Sequence, residues 1–143
     1  SSIQFCTKEM IEKFKKIQYI EDYIKRKEKE IEKHNKENNI NDEVIVNGRH
    51  LTNIGTFRAY IQSYLRNHPA VNKELVQMLR QLPPEERGLP LEIYAFINLT
   101  DWVAYESIQS DIFDHILAVA NEFGIRIFQN PSGYDVKQIR IPE

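Results

Sequence analysis

The sequence has little cysteine and no long apolar run. Its 143 residues include a single cysteine, Cys6, so the chain cannot form an internal disulfide. This excludes the small secreted domains that depend on a disulfide framework, and it fits a reducing compartment. The longest apolar runs are five residues, at 93–97 and 116–120, whereas a membrane-spanning helix needs about 18. We therefore expect a soluble chain with one hydrophobic core.

The sequence also lacks an excess of positive charge. It contains 19 Lys and Arg against 21 Asp and Glu, a net charge of -2. Non-specific nucleic-acid binding depends on a strongly positive surface, so this balance argues against a nucleic-acid partner. The chain begins with Ser1 and Ser2 and has neither an initiator Met nor a signal-peptide core. We therefore expect it to be a piece of a longer protein.

No pattern of catalytic or metal-binding residues is present. The histidines stand singly, at His34, His50, His68 and His115. They lack the close spacing that brings metal ligands to one face of a helix. Glu106, Asp111 and Asp114 fall on the polar side of a predicted helix, where carboxylates ordinarily only interact with water. Cys6 fits a buried strand residue better than a nucleophile. We predict no enzyme activity, no metal and no cofactor.

The first third of the chain predicts helix. Thr7 is a candidate N-cap, and apolar residues follow at roughly helical spacing through 11–31 as one continuous stripe. Residues 21–43 include 14 charged residues, six positive and eight negative. This mixture of signs is typical of a long solvated helix, whereas a nucleic-acid arm carries one sign. The asparagine-rich segment 35–41 is expected to end the helix.

Strands are predicted by alternation of apolar and polar residues. The pattern is found at 2–6, at 91–99 and at 125–128. Segment 74–82 fits a helix and a strand equally well by periodicity. Because the turn-rich segment 83–90 separates it from a clear strand, a hairpin is favoured, and 74–82 is then a strand.

Two further helices complete the predicted order. One covers 51–65 and is limited by Pro69; the other begins after the N-cap Asp101 and ends at Gly124. The resulting order is βαββαβ with an inserted helix after the first helix. This α+β order is that of a ferredoxin-like sandwich, here extended by a long charged helix.

Five runs of residues carry a family resemblance. They are 49–60 (RHLTNIGTFRAY), 80–82 (RQL), 88–96 (GLPLEIYAF), 105–115 (YESIQSDIFDH) and 129–133 (QNPSG). Together they resemble the C-terminal cytoplasmic region of the miniconductance branch of the small-conductance mechanosensitive channel family. The resemblance covers nearly the whole chain. It departs from the simplest members in its longer charged helix and its longer helix after Asn53.

The resemblance implies a role that composition alone does not. Residues 1–133 would be the cytoplasmic αβ domain of a tension-gated ion channel, and 134–143, which match no family motif, its C-terminal tail. Family members form homo-oligomeric rings, commonly heptamers, whose cytoplasmic parts enclose a vestibule below the pore. The expected location is the cytoplasmic side of the inner membrane, to which upstream helices outside this sequence would connect the domain. The expected role is a scaffold in osmotic-shock protection, and the isolated fragment is expected to be monomeric or weakly associated.

Four residues are candidates for a subunit or domain interface. Arg49, His50, Phe57 and Arg58 lie in a motif-rich stretch beside the turn dipeptide at 47–48. Contacts explain such a stretch better than helix propensity does. The alternative, that these residues only brace the core of their own domain, is equally consistent with the sequence.

Two other functions fit the predicted fold. In an RNA-binding module, Tyr94 and Phe96 would present rings for base stacking from one strand. The basic, glycine-containing aromatic signature of that module is missing, and we expect these rings to pack beneath the helix at 51–65. The second alternative is a regulatory domain for a small molecule, although no residue pattern selects a ligand.

Overall fold

The computed structural model describes residues 2–75, 77–98 and 101–128. Within these ranges the chain is a mixed α+β unit with four α-helices and a two-stranded antiparallel sheet. The elements in chain order are α1 (Lys8–Phe14), α2 (Glu21–Glu37), α3 (Asn53–Asn67), β1 (Met78–Gln81), β2 (Leu91–Tyr94) and α4 (Trp102–Val119). Among the described helices, none combines the length and the apolar character needed to cross a bilayer.

Helix starts follow the local side-chain chemistry. Thr7 Oγ1 accepts a hydrogen bond from the Met10 backbone N–H at 3.1 Å, at the start of α1. Asp101 Oδ1 accepts from the Val103 N–H at 3.1 Å, at the start of α4. Each bond satisfies a donor that has no partner within its helix. The predicted N-caps Thr7 and Asp101 are confirmed.

The apolar stripe at 11–31 does not form one continuous helix. α1 ends at Phe14, Ile17 is extended at φ -82° and ψ 113°, and a single 3₁₀ turn at Gln18–Ile20 leads into α2. Phe14 and Ile20 are both buried. The break between them lets α1 and α2 turn separately toward one core, which a straight helix with a narrow stripe would not do.

The charged helix α2 ends where the sequence predicted. Its last residue is Glu37, and the C-cap Asn38 donates its backbone N–H to the His34 carbonyl at 3.1 Å. Asn39 follows at φ 51°, a left-handed conformation that asparagine tolerates better than most residues. The asparagine-rich segment therefore ends the helix through backbone geometry.

The predicted hairpin is confirmed. β1 pairs antiparallel with β2, with Met78 opposite Tyr94 and Gln81 opposite Leu91. The ambiguous segment 74–82 thus contains a strand. β2 ends at Tyr94, earlier than the predicted 91–99, and only a single bridge pairs Ile97 with Val71.

The two outer predicted strands do not form strands. Segment 2–6 makes one isolated bridge, Phe5 to Thr52, and 125–128 joins no ladder. Their backbone groups have other partners: Arg126 N–H donates to Ser2 Oγ at 3.1 Å. These bonds satisfy some of the backbone groups of both segments without a neighbouring strand. The α+β class is confirmed, and the ferredoxin-like βαββαβ arrangement is not.

Some residues for which predictions were made from the sequence lie outside the described residues. This applies to Val76, to Leu99 at the end of the predicted strand, to the last family-like run at 129–133 and to the tail at 134–143.

The core is centred on α3 and an aromatic cluster. The Phe123 ring lies 5.0 Å from the Phe14 ring, 5.3 Å from that of Phe57 and 5.4 Å from that of Tyr60, between centroids. These residues come from three separate parts of the chain, so the cluster joins the N-terminal helices to the segment after α4. Aromatic pairs at such distances add about 0.5–1.5 kcal/mol each beyond area burial.

Candidate functional site

A cleft of about 400 Å³ opens between α2 and the N-terminal end of α3. We call it the basic cleft. Its charged lining consists of Lys27 and Glu30 from α2, Arg49 from the connecting loop and Arg58 from α3, and His50 of the same loop also lines it. Three predicted interface residues, Arg49, His50 and Arg58, therefore lie around one concavity, although the first and the last are nine positions apart in the chain.

The loop that carries Arg49 is held by one asparagine of α2. Asn35 Oδ1 accepts from the Arg49 N–H at 2.9 Å, and Asn35 Nδ2 donates to the Arg49 carbonyl at 3.1 Å. Gly48 precedes this pair at φ +75°, and a Cβ there would lie 2.6 Å from Asn35 Oδ1. Glycine is thus required both for the backbone conformation and for the close approach. Sequence reasoning recognised the turn at 47–48 and missed the role of Asn35.

His50 is oriented by a backbone carbonyl. Its Nε2 lies 2.9 Å from the Asn47 carbonyl oxygen. Because a carbonyl only accepts, Nε2 carries the hydrogen in this contact. The ring also meets Phe5 edge-on, with centroids 5.7 Å apart and an interplanar angle of 66°. These two contacts orient the His50 ring, which packs against Phe5 in the lining of the basic cleft.

The positive charge of the basic cleft is only partly paired. Lys27 Nζ lies 3.4 Å from Glu30 Oε2. Arg58 Nη1 donates to the uncharged Gln81 Oε1 at 3.0 Å. Among the ion pairs of the described residues, none includes Arg49 or Arg58. Three cationic side chains thus face one carboxylate, in a chain whose net charge is -2.

Phe57, the fourth predicted interface residue, does not line the basic cleft. It is 1% exposed and packs against Phe123 in the aromatic cluster. Bracing of the domain's own core is therefore the role its position gives it. For Arg49, His50 and Arg58 the interface assignment stays a prediction.

A second surface lies between β2 and α4. We call it the apolar face and define it by Tyr94, Phe96, Trp102, Tyr105 and Phe113, all of which are exposed. Four of them, without Trp102, line a groove of about 390 Å³. Trp102 lies three residues before Tyr105 on α4, so the two share one side of the helix. Aromatic rings at a surface are typical of contact sites.

The exposure of Tyr94 and Phe96 corrects the expectation that they pack beneath α3. They are 50% and 40% exposed. The aromatic side of α3 is occupied instead by His115 of α4: its Nε2 hydrogen-bonds the Tyr60 hydroxyl at 2.7 Å, and its ring stacks on Tyr64 at 4.2 Å. His115 therefore lies beside Tyr60 and Tyr64, where the two rings were expected to pack, and Tyr94 and Phe96 are exposed.

The described residues hold no group of three or more His, Cys, Asp or Glu that could bind a metal ion. Cys6 is buried, and burial raises the pKa of its thiol. A thiol in this state is a poor nucleophile. The described surface thus has two distinct features: Arg49 and Arg58 without a carboxylate partner in the basic cleft, and exposed rings on the apolar face.

No protein-family model and no solved structure matches the chain.

Proposed function

We propose that this chain is a cytoplasmic scaffold domain of a tension-gated ion channel. The observation that carries the proposal is the resemblance of five ordered runs, spread from residue 49 to residue 133, to the miniconductance branch of the small-conductance mechanosensitive channel family. The proposed location is the cytoplasmic side of the inner membrane. There, residues 1–133 would form the αβ domain that bounds a vestibule below the pore, with 134–143 as its tail.

The proposed assembly is a homo-oligomeric ring, a heptamer in the full-length channel. The apolar face supports it, because contiguous exposed apolar surface marks contact sites on otherwise polar domains. In the ring, a neighbouring copy of the chain would cover this face. Upstream segments would supply much of the assembly energy, so the isolated chain would associate only weakly.

The ferredoxin-like arrangement is part of the same proposal. The order α3, β1, β2, α4 matches the central αββα of the βαββαβ plan. Segments 2–6 and 125–128 would take the positions of the outer strands. Amide hydrogen exchange tests this in the assembled channel: protection of alternate amides in both segments supports added strands, and rapid exchange throughout them contradicts it.

Electrophysiology tests the channel function directly. Membrane patches from cells that lack other mechanosensitive channels would carry the full-length protein, and suction would be applied. A tension-activated current that is absent from patches without the protein supports the proposal. Patches that contain the protein at the membrane and show no such current would overturn it.

The assembly role has a matched pair of variants. Trp102 on the apolar face and Val46 in the loop after α2 are both 70% exposed. Trp102→Glu places a carboxylate on the apolar face, near a helix N-terminus that tolerates negative charge. Val46→Glu adds the same charge away from it. Both variants would be made in the full-length protein, where the ring is expected. A lighter or less stable oligomer in sedimentation for Trp102→Glu alone supports the interface; equal behaviour of the two variants contradicts it.

An RNA-binding module is the second candidate, because Tyr94 at the end of β2 and Phe96 two residues further on present exposed rings close together. Their centroids are 5.3 Å apart with an interplanar angle of 87°. Base stacking on such rings contributes about 1–3 kcal/mol per base. Fluorescence anisotropy with single-stranded RNA at low salt tests this candidate. Binding that Tyr94→Ala abolishes supports it, and no binding rejects it.

A further inference from the structure

We propose that the basic cleft binds a phosphate ester, with the guanidinium groups of Arg49 and Arg58 as its principal contacts. This goes beyond a scaffold role, because it assigns a ligand site to the domain. The first argument is charge: both arginines line one cleft, and neither pairs with a carboxylate among the described residues. Guanidinium groups match phosphate oxygens in a two-pronged geometry, so two unpaired ones in one concavity favour a phosphate.

The second argument is positioning. Asn35 fixes the backbone of Arg49 through hydrogen bonds to both its N–H and its carbonyl. Arg58 projects from α3 and is anchored to Gln81 through one nitrogen, Nη1. A guanidinium has five N–H donors, so this bond leaves most of them free for a ligand. The backbone of Arg49 and the side chain of Arg58 are therefore positioned before binding, which lowers the entropy lost when the ligand arrives.

The third argument is the shape and lining of the cleft. A volume of about 400 Å³ falls within the range of about 300–1,000 Å³ that small-molecule sites occupy. Phe5, Tyr23 and Ile31 supply an apolar and aromatic wall beside the cations. This wall suits an ester with a planar or apolar part better than inorganic phosphate. A ligand that filled the cleft would touch both kinds of surface.

The carboxylate in the cleft does not oppose a phosphate strongly. Glu30 is shared between Lys27 at 3.4 Å and Arg26 at 4.0 Å, so neighbouring cations compensate its charge. The N-terminus of α3 contributes little by itself. The Gly55 N–H already donates to Thr52 Oγ1 at 3.1 Å. The side chains of the cleft, rather than the helix end, therefore make the site.

Titration calorimetry on the 143-residue chain tests the proposal. The probes are inorganic phosphate, adenosine 5′-monophosphate, and vesicles of phosphatidylglycerol with phosphatidylcholine vesicles as their blank. The site variant is Arg49→Ala combined with Arg58→Ala. The control is Arg66→Ala combined with Arg87→Ala, which removes two exposed cations outside the cleft. Circular dichroism and thermal melting establish that both variants fold.

The expected result is binding of adenosine 5′-monophosphate that weakens at least tenfold in the site variant and stays within twofold in the control. Chemical-shift changes should centre on the amides of Gly48 and Gly55, which line the cleft. Binding confined to phosphatidylglycerol vesicles, with the same dependence on the two arginines, supports the site and identifies a lipid headgroup as the phosphate source. No binding of any probe, or equal loss in both variants, overturns the proposal.

Discussion

Replacing Phe123 by alanine removes the ring at which three parts of the core meet. Phe123 is 1% exposed and contacts the rings of Phe14, Phe57 and Tyr60 at 5.0–5.4 Å between centroids. The surrounding residues belong to separate helices, which cannot all move inward to fill the space. Most of the cavity would therefore remain in the variant.

The expected loss of stability follows from that cavity. Truncation of a buried phenylalanine to alanine costs about 3–5 kcal/mol, and the three ring contacts place Phe123 in the upper part of this range. An unfolding entropy of about 2.1 cal/mol/K per residue corresponds to a shift of about 3 °C for each kcal/mol in a chain of this length. We therefore expect the Phe123→Ala midpoint to fall by about 12–15 °C.

Differential scanning calorimetry measures this midpoint. Phe128→Ala is the matched control, because it removes an identical ring from a side chain that is 52% exposed. Such a surface change should cost no more than about 0.5 kcal/mol, or about 2 °C. Phe123→Leu, which keeps most of the volume, should fall between the two. A Phe123→Ala midpoint within the range of the control would refute the assignment of Phe123 to the centre of the core.

Three further predictions concern single contacts. The Lys13 ammonium, 2.7 Å away, lowers the pKa of Glu122. A carboxyl pKa that is lower in the folded state stabilises the protein at pH values above the usual carboxyl pKa. Glu122→Gln should therefore lower the midpoint of thermal unfolding slightly near neutral pH and not in strong acid. Cys6 should react slowly with iodoacetamide in the native protein and rapidly in urea, because burial raises the pKa of its thiol. Asn53→Ala should cost about 1–3 kcal/mol and expose the Gln4 amide to exchange, because the buried Asn53 Oδ1 accepts from it at 3.0 Å.

The predictions for Glu122 and Asn53 have matched control variants, and the prediction for Cys6 compares the native with the unfolded chain. For Glu122, the control is Glu106→Gln, which alters an exposed carboxylate that belongs to none of the described ion pairs; equal pH profiles for the two variants would count against the Lys13 contact. For Cys6, identical alkylation rates with and without urea would contradict burial. For Asn53, the control is Asn67→Ala at the exposed end of α3, and a similar cost in both would show that the buried bonds contribute little.

Local chemistry was the part of the fold that the sequence predicted well. Thr7 and Asp101 cap their helices through their own side chains, and the segment at 83–90 turns because its residues favour turns. These features depend on interactions within a few residues. For that reason they can be recognised without knowledge of what packs against them.

Competition between distant segments was not predictable in the same way. The alternation of 91–99 gave no indication that His115 of α4 would occupy the aromatic side of α3 and leave Tyr94 outside. Likewise, the alternation of 2–6 and 125–128 is the same whether a neighbouring strand or a side chain satisfies their backbone groups. Periodicity describes which faces a segment has, and tertiary packing decides what each face meets.

Some residues of the basic cleft were predicted from the sequence, and others were found only in the tertiary structure. Arg49, His50 and Arg58 were selected from the sequence alone, because they share one short stretch beside a turn. Lys27 and Asn35 were not, because they join the site only when α2 lies against the loop that follows it. The sequence by itself determined the N-caps Thr7 and Asp101, the end of α2 and the presence of the hairpin, since those depend on neighbouring residues. Only the tertiary structure decided which charges converge and which rings stay exposed, since both depend on contacts between segments far apart in the chain.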